Sequence, residues 1–270
     1  MLPLSRMPAA VAASVRGVFA DIDDTITSAG RLSAAAYAAL HALSDAGLDV
    51  VPVTGRPAGW CDHIARMWPV AAVVGENGAF YFRYDHASRR MQQRFVQDES
   101  TRRAGRERLA ALAQRILAQV PGTALASDQG YREADLAIDW CEDVPALDAA
   151  AVARVVAQFH AAGASAKVSS IHVNGWFGAY DKLGMTRIAA RECLGVDLDA
   201  QREHYVFVGD SPNDAPMFDY FPNAVGVANV RAFRGRLDAE PRYVTEGESG
   251  AGFSELAAFL LAARGDGALS

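Results

Sequence analysis

Short apolar runs alternate along the chain with stretches whose apolar residues recur every three or four positions, which predicts strands and helices in turn. The run at 15–21 predicts a first strand, apolar until Asp21. Leu32, Tyr37, Leu40 and Leu43 then mark a helix over 32–46, with Ser33 placed to cap its start and Gly47 its end. "LDVVPVT" at 48–54 predicts a second strand, and Pro52, which has no N–H to offer a sheet, predicts an irregularity in it. Pro57 opens the next helix, and "VAAVVG" at 70–75 gives the third strand.

After "GENGA" the rhythm changes. "FYFRYDHASRRMQQRFV" predicts two antiparallel strands around a polar turn. A helix over 99–119, a strand in "YREADLAIDW", a helix over 148–162 and the strand-like stretch "AKVSSIHVNGWFGAY" follow. In that last stretch Ser170, His172 and Asn174 share one face and Ile171 and Val173 the other, so the polar side either lines a site or meets solvent. From Asp181 the first rhythm resumes: a helix over 182–194, the strand "HYVFVGD", a short helix, the strand "NAVGVAN" and a final helix near 252–264.

This order predicts an α/β fold, a doubly wound and mostly parallel sheet with helices on both faces, interrupted by an inserted α+β domain. Residues 1–80 and 181–270 form the expected core and 81–180 the insert. Residues 1–14 are rich in small side chains and lack the apolar centre of a secretory signal, so they are expected to be a loose extension. No apolar stretch reaches the length of a membrane span. The net charge of -6 argues against nucleic acid or an anionic membrane as partner. Cys61, Cys141 and Cys193 lie far apart, which fits free thiols in a reducing, cytoplasmic setting.

Charge changes the picture at the ends of the apolar runs. "VFADIDDTIT" crowds Asp21, Asp23 and Asp24 directly behind an apolar stretch, where carboxylates repel one another. In open parallel sheets ligands bind beyond the carboxyl ends of the strands. Asp21 and Asp23 follow the first strand, Thr54 the second, and Gly209 and Asp210 the strand before the last, while Lys182 opens the helix after the insert. Asp21, Asp210 and Asp214 can therefore meet, and their meeting calls for a hard cation. Oxygen donors with no histidine or cysteine beside them point to Mg²⁺. Mg²⁺ takes phosphate as a further ligand, which predicts a phosphorylated small molecule as substrate, held by Thr54, Lys182 and loop N–H groups. A carboxylate aimed at phosphorus can act as nucleophile, and an acid two residues later can serve the leaving group and then the attacking water.

Four segments carry a family resemblance. "DIDDT" resembles the DxDxT signature of the haloacid dehalogenase superfamily, "VTGRP" its second motif, Lys182 in "YDKLGMT" its third and "GDSPND" its fourth. "TGRP", "ENGA" and an insert between the second and third motifs are similar to the Cof-like, sugar-phosphatase branch with the larger α+β cap on a Rossmann-like core. The resemblance implies a Mg²⁺-dependent phosphatase of sugar phosphates or similar metabolites. Asp21 would be nucleophile and metal ligand, and Asp23 general acid/base with its main-chain carbonyl on the metal. Asp210 would ligate the metal, and Asp214 would ligate it or orient its waters. Thr54 and Lys182 would bind the phosphoryl group, Thr25 would support the loop, and Asn213 would contact phosphate or orient Lys182. Arg56 would reach the substrate or form a structural ion pair. Asp24 stands where most members have glycine, and no role follows for it.

The cap would choose the substrate, with Arg132, Ser170, His172 and Asn174 as candidates. Arg132 could bind a second anionic group or pair with Glu133 or Asp135. Trp176 and Tyr180 could stack on a sugar or pack a hinge. The motifs are shared by sugar phosphomutases, which remain an alternative. A phospho-accepting signalling domain uses similar residues but without an insert or a paired DxD.

Overall fold

The computed structural model describes residues 1–265. In chain order, β1 (Leu2–Pro3), α1 (Ala9–Ser14) and β2 (Gly17–Ala20) lead to α2 (Ala34–Asp45), β3 (Asp49–Pro52), α3 (Ala58–Met67) and β4 (Val73–Gly75). A hairpin of β5 (Phe80–Asp85) and β6 (Arg90–Phe95) precedes α4 (Glu99–Gln119), β7 (Ala124–Leu125), β8 (Asp135–Asp139) and α5 (Ala149–Ala161). Then come β9 (Ser165–Val168), β10 (His172–Trp176), α6 (Lys182–Ala189), α7 (Leu198–Gln201) and β11 (Tyr205–Gly209). The chain closes with α8 (Ala215–Tyr220), β12 (Val225–Gly226), β13 (Tyr243–Val244) and α9 (Ser249–Arg264). None of these helices is long and apolar enough to cross a membrane.

The central sheet runs β1-β13-β12-β11-β2-β3 with every pairing parallel. Its inner strands are buried on both faces: Val18, Val206 and Val208 pack toward α2 and α9, and Phe19, Val51 and Phe207 pack toward α6 and α8. Pro52 closes the β2 ladder opposite Ala20, and beyond it β3 meets β4 through a single bridge, Val53 to Val74. A proline with no N–H fits that thinned pairing. A separate antiparallel sheet, β7-β8-β10-β9, is covered by α4 and α5 and forms the cap.

The apolar contacts place the hairpin β5–β6 with the core, later than the expected boundary at 80. Phe80 and Phe82 join the core cluster of α3, and Tyr81 joins the cluster of α6. The cap's own cluster begins at Leu109 and ends at Val173. Two further expectations give way. "AKVSSIHVNGWFGAY" is not one strand but the hairpin β9–β10, because Ser169 turns the chain: its hydroxyl accepts the His172 N–H at 3.0 Å and donates to the His172 carbonyl at 3.2 Å. Residues 1–14 are not a loose extension. β1 adds to the sheet edge beside β13, α1 packs on α9, and Leu4, Met7 and Ala12 are buried. Small residues here allow close helix packing, which composition alone reads as slack.

Leu4→Ala should therefore cost about 2–4 kcal/mol in urea unfolding, as for a buried core leucine; a change below about 0.5 kcal/mol would match a frayed terminus instead.

Candidate active site

Asp21 lies one residue beyond β2, tied to the sheet by its N–H on the Val208 carbonyl at 2.9 Å. The chain then winds around a single acceptor. The Ile22 carbonyl takes the N–H groups of Ile26 and Thr27 at 3.0 and 2.9 Å and the Thr27 hydroxyl at 3.0 Å. The tight turn sets Asp24 at φ 56°, in the left-handed region that favours glycine, asparagine and aspartate. This accounts physically for an aspartate at a position where the motif resemblance leads one to expect glycine. The Asp24 carbonyl accepts from Asn229 Nδ2 at 3.0 Å, so the residue fastens the loop through its backbone.

Asp210 and Asp214 approach from the end of β11. Asp214 Oδ2 accepts the Asp210 N–H at 3.2 Å, and Thr25 Oγ1 donates to Asp210 Oδ1 at 3.4 Å. A Cβ on Gly209 would sit 2.4 Å from Asp214 Oδ2, so this position admits no side chain. Lys182 begins α6, whose start is capped by Asp181 accepting the Gly184 N–H at 2.7 Å. Its Nζ reaches Asp21 Oδ1 at 2.8 Å and Asp214 Oδ1 at 3.0 Å.

Asp21, Asp210 and Asp214 thus bring carboxylate oxygens within 4.8 Å of one another, all buried. Burial, with Asp214 and Asp23 beside it and in spite of Lys182, raises the Asp21 pKa to about 7. Burial and the neighbouring carboxylates push Asp210 well above its ordinary value. Burial opposes the charge on Lys182, but Asp21 and Asp214 outweigh it and hold the ammonium above its usual range. One ammonium faces three carboxylates, a hard-oxygen set that fits a divalent cation.

Arg56, two residues past Thr54, grips Asp23 through Nε and Nη2 at 2.9–3.1 Å. The same guanidinium reaches into the cap, to Asp128 Oδ2 at 3.3 Å and Glu142 Oε1 at 2.7 Å. Thr54 is buried, and its hydroxyl accepts the Arg56 N–H at 3.0 Å. Asn213 lines the crevice and accepts from the Ser211 hydroxyl at 2.7 Å. His172 and Asn174 face the crevice from β10. His172 Nε2 lies 2.8 Å from Glu142 Oε2, close but poorly aligned as a hydrogen bond, and Asn174 donates to Asp135 at 3.0 Å.

Arg132 does not line this crevice. Its guanidinium has 0% exposure and is spent on Asp128, Asp135 and the Gly55 carbonyl at 2.8–3.1 Å. Asp135 is the partner its sequence neighbourhood offered; Glu133 instead pairs with Arg106. Trp176 and Tyr180 stack on each other, with ring centroids 5.7 Å apart, and pack where the cap rejoins the core.

Sequence reasoning missed the residue that joins the two domains at this edge. Glu76, of "ENGA", is buried with φ 42° and accepts four backbone N–H groups: Ala58 of the core, and Glu133, Ala134 and Asp135 of the cap, at 2.6–3.1 Å. Burial and the Asp135 carboxylate push its pKa up to about 8, against the pull of those donors. On the opposite edge Glu142 and Asp23 remain partly exposed. The space between them, bounded by Asp21, Asp23, Arg56, His172, Asn174 and Asn213, holds about 10 Å³, room for about one water. A separate groove of about 550 Å³, lined by Ile22, Trp60, Trp68 and Tyr131, is largely apolar, and its lining includes no lysine or arginine.

Residues 18–104 match the family model of haloacid dehalogenase-like hydrolases. Solved structures share the fold across nearly the whole chain. A Thermoplasma acidophilum protein has 18% identity and TM-score 0.66, covering 90% of this chain and 96% of its own. The sucrose-phosphatase of Synechocystis, solved with sucrose and phosphate, has 14% identity and TM-score 0.62, covering 91% and 98%. The C-terminal domain of Candida albicans trehalose-6-phosphate phosphatase has 13% identity and TM-score 0.66, covering 98% and 99%. No curated protein sequence is significantly similar to this one.

Two outcomes follow from the geometry. Glu76→Ala should leave four N–H groups without their acceptor, at about 1–3 kcal/mol for each buried one, and lower stability to urea by more than about 3 kcal/mol; a surface-like change would refute the clamp. Asp21 has its folded pKa raised above the unfolded 3.8, so without a cation the fold loses stability as pH rises from about 4 to about 7. A bound divalent cation should reverse that loss and displace a proton below about pH 7. The rise in melting temperature on adding it should be larger at about pH 8 than at about pH 5.5; equal shifts would count against a cation at Asp21.

Proposed function

On the premise of a haloacid dehalogenase-like hydrolase core, we propose that the protein is a Mg²⁺-dependent phosphomonoesterase acting on a sugar phosphate or a similar small phosphorylated metabolite. The observation that carries this reading is Lys182 Nζ held between Asp21 and Asp214, at 2.8 and 3.0 Å, with Asp210 alongside. A lysine and a buried acid set at the edge of the crevice suit an anion whose charge is shared with a metal. Mg²⁺ is favoured over zinc because the donors are carboxylates, with no histidine or cysteine among them. The polar face of β10 opposite Asp21, and structural neighbours named for sucrose phosphate and trehalose 6-phosphate, support a sugar as the leaving group.

Asp21, Asp210 and Asp214 would hold the cation by their side chains and Asp23 by its main-chain carbonyl. When bound, the cation neutralises charge on the phosphoryl oxygens and on the crowded acids. Lys182, Thr54 and Asn213 would take the remaining phosphoryl oxygens. Asp21 attacks phosphorus through its carboxylate, forming an aspartyl phosphate as the ester P–O bond breaks. Asp23, oriented by Arg56, gives its proton to the departing sugar oxygen. It then takes a proton from the water that attacks the aspartyl phosphate, which returns Asp21 and releases inorganic phosphate. The crevice is nearly filled in the closed form, so the edge carrying Glu142 must part from Arg56 to admit substrate.

Phosphate release from a panel of hexose and disaccharide phosphates should require Mg²⁺ and stop with EDTA. Asp21→Asn should lower the rate at least roughly a thousandfold, since the amide cannot carry the phosphoryl group. Activity retained in that variant would remove the nucleophile assignment.

A further inference from the structure

Arg56 is the one permanent cation among the described residues that line the crevice on the side away from Lys182. It is already surrounded by Asp23, Asp128 and Glu142, three carboxylates on one guanidinium. Arg132, the other arginine nearby, is buried against Asp128 and Asp135. The leaving-group side of the crevice therefore has no uncommitted positive charge.

Glu142 is held at that rim by the fold. Asp139, buried at the end of β8, accepts the N–H groups of Cys141, Glu142 and Asp143 at 2.8–2.9 Å and fixes the turn. The Glu142 carboxylate then meets Arg56 Nη2 at 2.7 Å and lies 2.8 Å from His172 Nε2. Contact with His172, opposed by partial burial and aided by Arg56, lowers its pKa to about 2, so it is a fixed negative charge at any working pH.

We infer that Glu142 is a specificity-determining residue that restricts the phosphomonoester to one with an uncharged, hydroxyl-bearing leaving group, an inference that rests on the phosphomonoesterase reading above. A substrate with a second anion would bring it against the Glu142 carboxylate. Displacing Glu142 from Arg56 would gain little, because Asp23 and Asp128 remain on the guanidinium and the expelled carboxylate loses its partners. A hydroxyl, in contrast, can donate to Glu142 and pair with Asn174 or the rim backbone without adding charge.

Two ligands that differ by one group test this: sn-glycerol 3-phosphate, ending in CH₂OH, and 3-phosphoglycerate, ending in carboxylate. Each is measured as a competitive inhibitor of para-nitrophenyl phosphate hydrolysis at fixed free Mg²⁺. The carboxylate ligand should bind the wild-type enzyme about tenfold more weakly. In Glu142→Gln that selectivity ratio should fall by about tenfold, and Glu142→Asp should restore part of it. Equal or tighter binding of 3-phosphoglycerate to the wild-type enzyme, the result expected if Glu142 merely stands in for a substrate anion, overturns the inference. So does a ratio unmoved in the glutamine variant. In both cases nitrophenol release continues and the phosphomonoesterase reading stands. Absence of nitrophenol release from the wild-type enzyme would instead overturn that reading and the inference with it.

Discussion

Three carboxylates and one ammonium, all removed from water within a few ångströms, are the constraint around which the core is arranged. Such a set is costly to bury and is tolerated only with tight geometry and matching charge. The surrounding chain supplies that geometry by means that have no chemistry of their own. Parallel β2 and β11 deliver Asp21 and Asp210 side by side, with Asp21 hydrogen-bonded to β11. Gly209 leaves room for Asp214, and the turn around the Ile22 carbonyl carries the loop away at the left-handed Asp24.

The cap is joined to this core unequally along its two edges. On one edge Glu76, Arg132, Asp135 and Asn77 form a buried lattice in which backbone N–H groups of the cap end on a carboxylate of the core. On the other, Arg56 meets Glu142 at the partly exposed rim. Contacts of the first kind lie wholly out of water, whereas in the second the Glu142 carboxylate still meets solvent while its arginine partner is buried.

Much of the core was legible because its signals are local. Apolar runs ending in Asp21, Thr54 and Gly209–Asp210 mark strand tips, and periodicity marks the helices, with Ser33 as cap of the first long one. What escaped depends on contacts across space. β1 and β13 are two residues long and are defined only by their pairing at the sheet edge, β1 on β13 and β13 on β12. Ser169 turns a stretch whose alternation suits one continuous strand. Arg132 has the composition of a substrate anchor, and only the burial of Asp128 and Asp135 turns it inward. Glu76 and Glu142 gave no signal, since one acts on backbone N–H groups and the other through partners 86 and 30 positions away.

The distance between Asp21 and Lys182, 161 positions, has a consequence for the life of the chain before it is complete. As the polypeptide leaves the ribosome, Asp21 emerges early. Its lysine waits for the whole cap to be made, and Asp210 and Asp214 come later still. During that interval Asp21 is an ordinary hydrated carboxylate, with nothing to concentrate a cation or to orient a phosphate. Closing so long a loop is an entropic cost met only when the sheet itself forms. In the nascent chain the cluster is therefore absent, and the gathering of its acids around one ammonium marks the moment at which translation has become structure.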